Sequence, residues 1–139
     1  MAYCTQEDIE KRIGEDDVAA LTDYDGDGSP DTEVVAAAIG DACALIDSYL
    51  SVRFTVPVSP VADVLRTRAV NLSVYFLRLG RDSATEDVRR QYEDDVAWLG
   101  EVVNGKVSLG IEPSAAEGDR APGVRYESQP RIFGRDEPL

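Results

Sequence analysis

The chain has 139 residues, of which 43% are hydrophobic and 29% are charged, and this composition excludes disordered and membrane-embedded classes of protein. Its formal net charge is −13, from 27 Asp and Glu against 14 Lys and Arg, which excludes tight binding to the phosphate backbone of nucleic acids. No apolar run approaches the ~20 residues of a membrane-spanning helix, and the first residues lack the basic and apolar regions of a signal peptide. We therefore expect one folded domain, no membrane partner and synthesis in the cytosol.

The N-terminal part is predicted to form two short helices. Thr5 and Asp8 have the spacing of a capping box, in which a hydroxyl and a nearby acid satisfy the first backbone N–H groups of a helix. A helix is therefore predicted over Gln6–Ile13. Gly14 ends it, because glycine readily takes the backbone conformations that follow a helix, and a second helix is predicted over Glu15–Thr22.

The next segment, residues 23–31, is a loop with the spacing of a calcium-binding loop. A hard cation needs several oxygens at about 2.3–2.6 Å, and alternating aspartates with a glycine at the bend supply that geometry. Gly28 stands at the position of this glycine. The last position of the pattern, normally a bidentate Glu, holds Val34, with Glu33 one place early. The candidate calcium ligands are Asp23, Asp25, Asp27 and Asp31.

The same segment has a purely structural interpretation. Aspartates in a turn between helices accept hydrogen bonds from nearby backbone N–H groups, and Asp31 or Thr32 can cap the following helix. The sequence leaves both interpretations open. Bound calcium would be structural, because it would neutralise crowded carboxylates and fix the angle between two helices. If calcium binds, the loop would be the centre of a calcium-binding protein-interaction module. If the loop is only a structural turn, we expect no cofactor to be required.

Three longer helices are predicted beyond the loop, because apolar residues recur at intervals of three and four. The first covers Thr32–Leu50. The second covers residues 61–79 and is so apolar that we expect it at the centre of the fold. The third begins after a cap at Thr85 and ends at Gly105. Residues 51–60 contain two prolines and several β-branched residues, which favour an extended connection.

After Gly110 prolines and glycines recur and the helical period is lost. We expect an extended C-terminal arm that orders on a partner, because it also carries aromatic, aliphatic and arginine side chains. The candidate partner-binding residues are Tyr126, Arg131, Ile132, Phe133 and Arg135. The predicted fold is therefore all-α, with a small bundle of about five helices in residues 1–110, two short and three longer, and the arm in residues 111–139.

The sequence lacks the residue patterns of common catalytic sites. It has no histidine, no Cys-x-x-Cys, no Gly-x-Ser-x-Gly and no phosphate-binding glycine loop, so we expect no enzyme activity. Runs of acids such as residues 93–95 are predicted to be solvated helix faces. Cys4 and Cys43 are predicted to be buried free thiols. Aromatic side chains at helical spacing are predicted to be core residues or interface anchors, namely Tyr75, Phe76, Tyr92 and Trp98.

Several segments match, in order and spacing, one family of small phage proteins. They are MAYCTQED at residues 1–8, LTDYDGDG at 21–28, IDSYLSVRFTVP at 46–57, VLR at 64–66, EDVRRQY at 86–92, WL at 98–99, GKVSLG at 105–110 and RIFGRD at 131–136. On these segments, which cover nearly the whole chain, the sequence resembles the Mu-like phage and prophage family of head-to-tail connector proteins.

This resemblance implies a neck adaptor, a non-enzymatic structural protein of the virion that is assembled in the cytoplasm of the bacterial host. It implies docking on the portal protein, a closed ring of about twelve copies, and a platform for a tail-side neck or tail-terminator protein. The arm would fasten neighbouring subunits by ordering on them. DNA is expected to pass through the ring without being specifically bound, because an acidic surface repels it.

Overall fold

The computed structural model describes residues 2–111 and residue 113, and these residues form five α-helices and no strand. The helices are α1 (Gln6–Ile13), α2 (Glu15–Thr22), α3 (Thr32–Leu50), α4 (Asp63–Gly80) and α5 (Glu86–Val103). The prediction of a small all-α bundle with two short and three longer helices is confirmed. Over the same residues, no helix has both the length and the apolar character needed to cross a membrane.

The helices begin at the caps that the sequence predicts. The Asp8 N–H donates to the Thr5 hydroxyl at 3.2 Å, and the Thr5 N–H donates to the Asp8 carboxylate at 3.0 Å, which completes the capping box of α1. Gly14, with φ of +96°, separates α1 from α2. The Thr85 hydroxyl accepts from the Val88 N–H at 3.3 Å at the start of α5. Local hydrogen bonding therefore fixes where α1 and α5 begin.

Helix α4 lies at the centre of the bundle and packs against all four of the other helices. It begins two residues later than predicted, because the backbone of Ala62 is extended, with ψ of 148°, and the first helical residue is Asp63. Its buried residues recur at helical spacing and are Leu65, Ala69, Val70, Leu72, Ser73, Val74 and Leu77. The expectation that this helix would lie at the centre is thus confirmed, and α3 likewise packs against all four of the other helices.

Helices α4 and α5 are antiparallel. Arg68 contacts Asp95, whereas Tyr75, further along α4, stacks on Tyr92, which comes earlier in α5. The C-terminal end of α4 therefore lies beside the N-terminal end of α5. This arrangement gives the bundle two distinct ends.

Contacts between loops and helices define these two ends. At the first, the guanidinium of Arg53, just beyond α3, donates to the Val102 carbonyl near the end of α5 at 3.3 Å. At the second, the Tyr24 hydroxyl lies beside Gly80, so that a β-carbon there would be 3.2 Å from its oxygen, and Arg81 lies over the Tyr24 ring at 4.9 Å. We call the first end, where α5 finishes, the exit end. We call the second, which carries residues 23–31, the loop end.

The connection between α3 and α4 contains no helix or strand and is held by Tyr3. The Tyr3 hydroxyl donates to the Asp47 carboxylate at 2.5 Å and accepts from the Val58 N–H at 2.9 Å. Burial, and next the hydrogen bond to Asp47, raise the pKa of Tyr3 because both disfavour its ionised form. The N-terminal segment thereby orders a connection that is more than fifty residues away in sequence.

The two cysteines are buried free thiols, as predicted. The Tyr3 N–H donates to the Cys43 sulfur at 3.3 Å, and the Cys4 sulfur lies 3.7 Å from the Ser73 hydroxyl oxygen. Burial raises the pKa of Cys4 to about 11. Both thiols are therefore poorly accessible, and that of Cys4 stays protonated near neutral pH.

Candidate functional site

The acidic loop between α2 and α3 brings three carboxylates together. Side-chain oxygens of Asp23, Asp25 and Asp27 all lie within 4.8 Å of one another. Asp23 is half-buried, whereas Asp25 and Asp27 are exposed. Three of the four candidate calcium ligands therefore share one small region at the loop end of the bundle.

Asp23 organises this loop through hydrogen bonds to its carboxylate. Oδ1 accepts from the N–H groups of Gly26 at 2.7 Å and Asp27 at 2.9 Å, and Oδ2 accepts from the Gly28 N–H at 2.8 Å. Gly26 and Gly28 have φ of +82° and +78°, where a residue with a β-carbon would be strained. The chain can therefore fold back around Asp23 because glycines stand at these two positions.

These hydrogen bonds give two neighbouring carboxyl groups different acidities. The Gly28 N–H is the main cause that lowers the pKa of Asp23, because a donor stabilises the ionised form. The Asp23 side chain raises the pKa of Asp25, because the protonated form of Asp25 can donate a hydrogen bond to the Asp23 carboxylate. Asp23 therefore remains ionised to lower pH than Asp25.

Asp31 lies outside this trio and caps α3. Its carboxylate accepts from the N–H groups of Glu33 at 2.9 Å and Val34 at 3.3 Å. Its own N–H donates to the Thr22 hydroxyl at 2.9 Å, and that hydroxyl donates to the Val18 carbonyl at 2.8 Å. Through these two hydrogen bonds Thr22 joins the two ends of the loop, and because Thr22 is fully buried this link lies inside the bundle. The fourth candidate ligand therefore serves as a helix cap.

The loop supplies part of a coordination shell for a hard cation. Val34, at the place of the usual bidentate Glu, packs against the core and offers no side-chain oxygen. Calcium takes about six to eight oxygens, so backbone carbonyls or water would have to complete the shell. The N–H contacts of Asp23 and the cap formed by Asp31 match the structural interpretation. Each carboxylate also has further lone pairs for a cation, so the geometry is compatible with both interpretations.

Partly exposed aromatic side chains form a second candidate site at the loop end. Tyr75 stacks on Tyr92 with ring centroids 4.2 Å apart, and the Phe76 ring meets both edge-on at 5.6 and 6.2 Å. Leu79, one turn beyond Tyr75, is 53% exposed, and Tyr24, which reaches the end of the same helix, is 55% exposed. We call these five residues the aromatic strip: Tyr24, Tyr75, Phe76, Leu79 and Tyr92. Such accessible aromatics are typical of protein-binding surfaces.

One acid predicted to be solvated is buried. Residues 93 and 94 are exposed as expected, but Asp95 is fully buried and pairs with Arg68 at 2.6 Å, and Gln91 donates to the same oxygen at 3.1 Å. Among the described residues, none donates a hydrogen bond to its other oxygen. The helical period carried the missed signal, because Asp95 comes seven residues after Val88 and four before Leu99, on the apolar face of α5.

The predicted arm is not part of the described structure. The candidate partner-binding residues Tyr126, Arg131, Ile132, Phe133 and Arg135 all lie outside the described residues. The boundary between residues 1–110 and 111–139 stays a prediction. Within the described residues the chain still contacts the bundle beyond α5, since Leu109 is buried and Ile111 packs against the core.

Comparison with known proteins identifies relatives along nearly the whole chain. The sequence model of a family described as bacteriophage Mu, Gp36 matches residues 3–127. The gene product J of Escherichia phage Mu is 33% identical over 137 residues, which cover 97% of this chain and 96% of that protein. The Mu-like prophage FluMu protein gp36 of Haemophilus influenzae is 34% identical over 108 residues, which cover 78% of this chain and 75% of that protein.

Proposed function

The chain belongs to the bacteriophage Mu Gp36 family, and from this premise we propose that it is a structural protein of the phage particle, a subunit of the neck between capsid and tail. It docks on the portal protein as one copy in a closed ring of about twelve. The opposite face of the ring offers a platform for a tail-side neck or tail-terminator protein. The role is assembly, with no chemical reaction.

The single observation that carries this proposal is the end-to-end similarity to a phage Mu protein, which leaves little of either chain unmatched. The match to the family, over residues 3–127, includes all five helices of the bundle. The accessible aromatic strip supports a protein whose work is to bind other proteins. A sequence without histidine supports a structural role over a catalytic one.

The charge of the molecule suits a ring that DNA must traverse. Residues 114–139 hold four of the 14 basic and five of the 27 acidic residues, so the preceding 113 residues carry a formal charge of −12. A wall of this sign repels the phosphate backbone and prevents it from adhering. DNA therefore passes through the ring and is not specifically bound.

Electron microscopy of particles that contain this chain tests the proposal. We expect its density as a closed ring against the tail-side face of the portal, with the helical bundles side by side. When the chain is not produced, we expect DNA-filled heads that lack tails. Density elsewhere in the particle, or particles that lack the protein altogether, would overturn the neck assignment.

A second candidate function is a calcium-binding protein-interaction module, favoured by the three carboxylates that lie within 4.8 Å of one another. Calcium that binds only the folded protein stabilises it, by about 4 kcal/mol at a concentration one thousand times the dissociation constant. Thermal unfolding with calcium and with EDTA tests this. Under this function calcium raises the midpoint, EDTA reverses the rise, and Asp25→Ala abolishes it. An unchanged midpoint rejects the module.

A further inference from the structure

The aromatic strip is apolar surface that stays partly exposed in the part of the chain that the structure describes. It includes two of the four large hydrophobic side chains that are most exposed in residues 2–111, Tyr24 and Leu79. The Tyr75 and Tyr92 rings beside them are only half-buried although they stack on each other. Tyrosines contribute large binding energies at interfaces because their rings are rigid and their hydroxyls form hydrogen bonds. The strip therefore has the composition of a docking surface.

The strip and the C-terminal end of α5 lie at opposite ends of the bundle. Tyr24 and Leu79 are at the loop end, where α4 ends. The chain leaves α5 at the exit end, where Arg53 donates to the Val102 carbonyl. Helix α5 has 18 residues, so the two ends are separated by about 27 Å. The molecule thus presents two different surfaces, and closed rings with head-to-tail contacts need such a pair.

The chain beyond the described bundle has the chemistry that fits the strip. Residues 114–139 include four arginines, and their large apolar side chains include Tyr126, Ile132 and Phe133. Guanidinium groups bind to the faces of tyrosine rings, as Arg81 already does on Tyr24 at 4.9 Å. The arginines are also attracted to a bundle of formal charge −12. These 26 residues can span up to about 85 Å, which exceeds the length of a bundle.

We propose that the aromatic strip of one copy binds residues 114–139 of the neighbouring copy in the ring. The inference rests on the proposed function, because it assumes a ring, and it names the surface that receives the arm. Apolar side chains of the arm cover Leu79 and Phe76, and an arginine of the arm lies against the stacked tyrosines. Each copy gives one arm and receives one, so the ring closes.

Crosslinking between two single-cysteine variants tests this contact. Full-length Leu79→Cys and full-length Phe133→Cys chains are mixed, incorporated into particles and treated with a short bismaleimide. The two introduced thiols are on different chains, so a crosslinked dimer can arise only from contact between copies. The parent chain supplies the background, because Cys4 and Cys43 are buried. A chain with both substitutions separates contacts within one copy from contacts between copies.

Val52→Cys is the matched control for Leu79→Cys. Val52 is also an apolar residue and is 57% exposed against 53% for Leu79, but it follows α3 at the exit end. We expect the dimer yield with Phe133→Cys to be roughly tenfold higher for Leu79→Cys than for Val52→Cys, because a bound segment raises the local concentration of its thiol. Equal yields would overturn the proposal, and so would crosslinks that form only within single chains.

The same experiment separates this inference from the proposed function. A ring at the portal, seen by microscopy, without Leu79–Phe133 dimers would overturn the inference and leave the neck assignment intact. A chain that is absent from particles, but whose purified form gives the same dimers, would support contact between strip and arm and overturn the neck assignment. Thermal unfolding of each variant verifies that the cysteines leave the bundle folded.

Discussion

Arg68 and Asp95 form an ion pair across the interface of α4 and α5, with 2.6 Å between Nη1 and Oδ1. The Asp95 side chain is completely buried, whereas that of Arg68 retains 24% exposure. The guanidinium also lies over the Trp98 ring at 4.9 Å. Arg68 thus covers the buried carboxylate from the solvent side and holds two helices together.

We expect Arg68→Met to lower the free energy of unfolding by about 3 kcal/mol, because it leaves a buried carboxylate without its counter-charge. The double variant Arg68→Met with Asp95→Leu should recover most of this loss, since no buried charge then remains. Urea unfolding, followed by circular dichroism, measures both. The control is Arg66→Met, which breaks an exposed pair with Asp63 and should lose less than about 1 kcal/mol. Equal losses for Arg66→Met and Arg68→Met would contradict the importance of burial.

Tyr3→Phe should lower the free energy of unfolding by about 1–3 kcal/mol at neutral pH, because the Val58 N–H and the Asp47 carboxylate both lose their partner. The pKa of Tyr3 is raised in the folded protein, so its stabilisation is complete below the unfolded pKa of about 10 and is lost as the pH rises further. The difference between the parent chain and Tyr3→Phe should therefore shrink above pH ~10. Urea unfolding at several pH values from neutral to alkaline measures this difference in the free energy of unfolding. A difference that stays constant with pH would disprove the link between stability and the ionisation of Tyr3.

Two glycine substitutions should change stability in opposite directions. Gly40 is inside α3, and a β-carbon added there would have no atom within 4 Å, so Gly40→Ala should raise the free energy of unfolding by about 0.5–1 kcal/mol. Gly28 has φ of +78°, and Gly28→Ala should lower it by about 1 kcal/mol. Both positions have open space around them, so the comparison isolates the backbone. Thermal unfolding that shifts both midpoints in one direction would refute this account.

Asp31 and Asp25 should differ in their effect on stability when EDTA is present. Asp31→Ala removes the cap of α3 and should lower the free energy of unfolding by about 1 kcal/mol. Asp25→Ala removes an exposed carboxylate that caps no helix, and we expect no measurable loss. Chemical unfolding in EDTA compares the two variants. A large loss for Asp25→Ala in the absence of any metal would show that the loop depends on that side chain for folding.

The helices were predictable because their signals are local. The capping box at Thr5, the glycine at Gly14 and the regular apolar spacing of α3 each involve neighbours within a few residues. The bounds of α1, α2 and α3 agree with the prediction for this reason. The start of α4 differed because the backbone of Ala62 remains extended, although residues 61 and 62 continue the apolar pattern.

Contacts between distant residues were not predictable. The burial of Asp95 depends on Arg68, which is 27 residues away on another helix, and the connection after α3 depends on Tyr3. In the acidic loop, the sequence left open whether Asp31 is a calcium ligand or a helix cap, and the structure shows that it caps α3 while the other three aspartates lie together. Periodicity assigns a residue to a face of its own helix, but it does not identify the group that will lie opposite.

Trp98 is the single tryptophan of the chain and is 9% exposed under the guanidinium of Arg68. Its fluorescence therefore arises from one place, the interface of α4 and α5. Removal of the cation from the ring, or entry of water, changes the spectrum without any added dye. The protein thus carries an intrinsic optical reporter beside its buried ion pair, and this reporter can follow the bundle in real time as the chain folds or as copies associate.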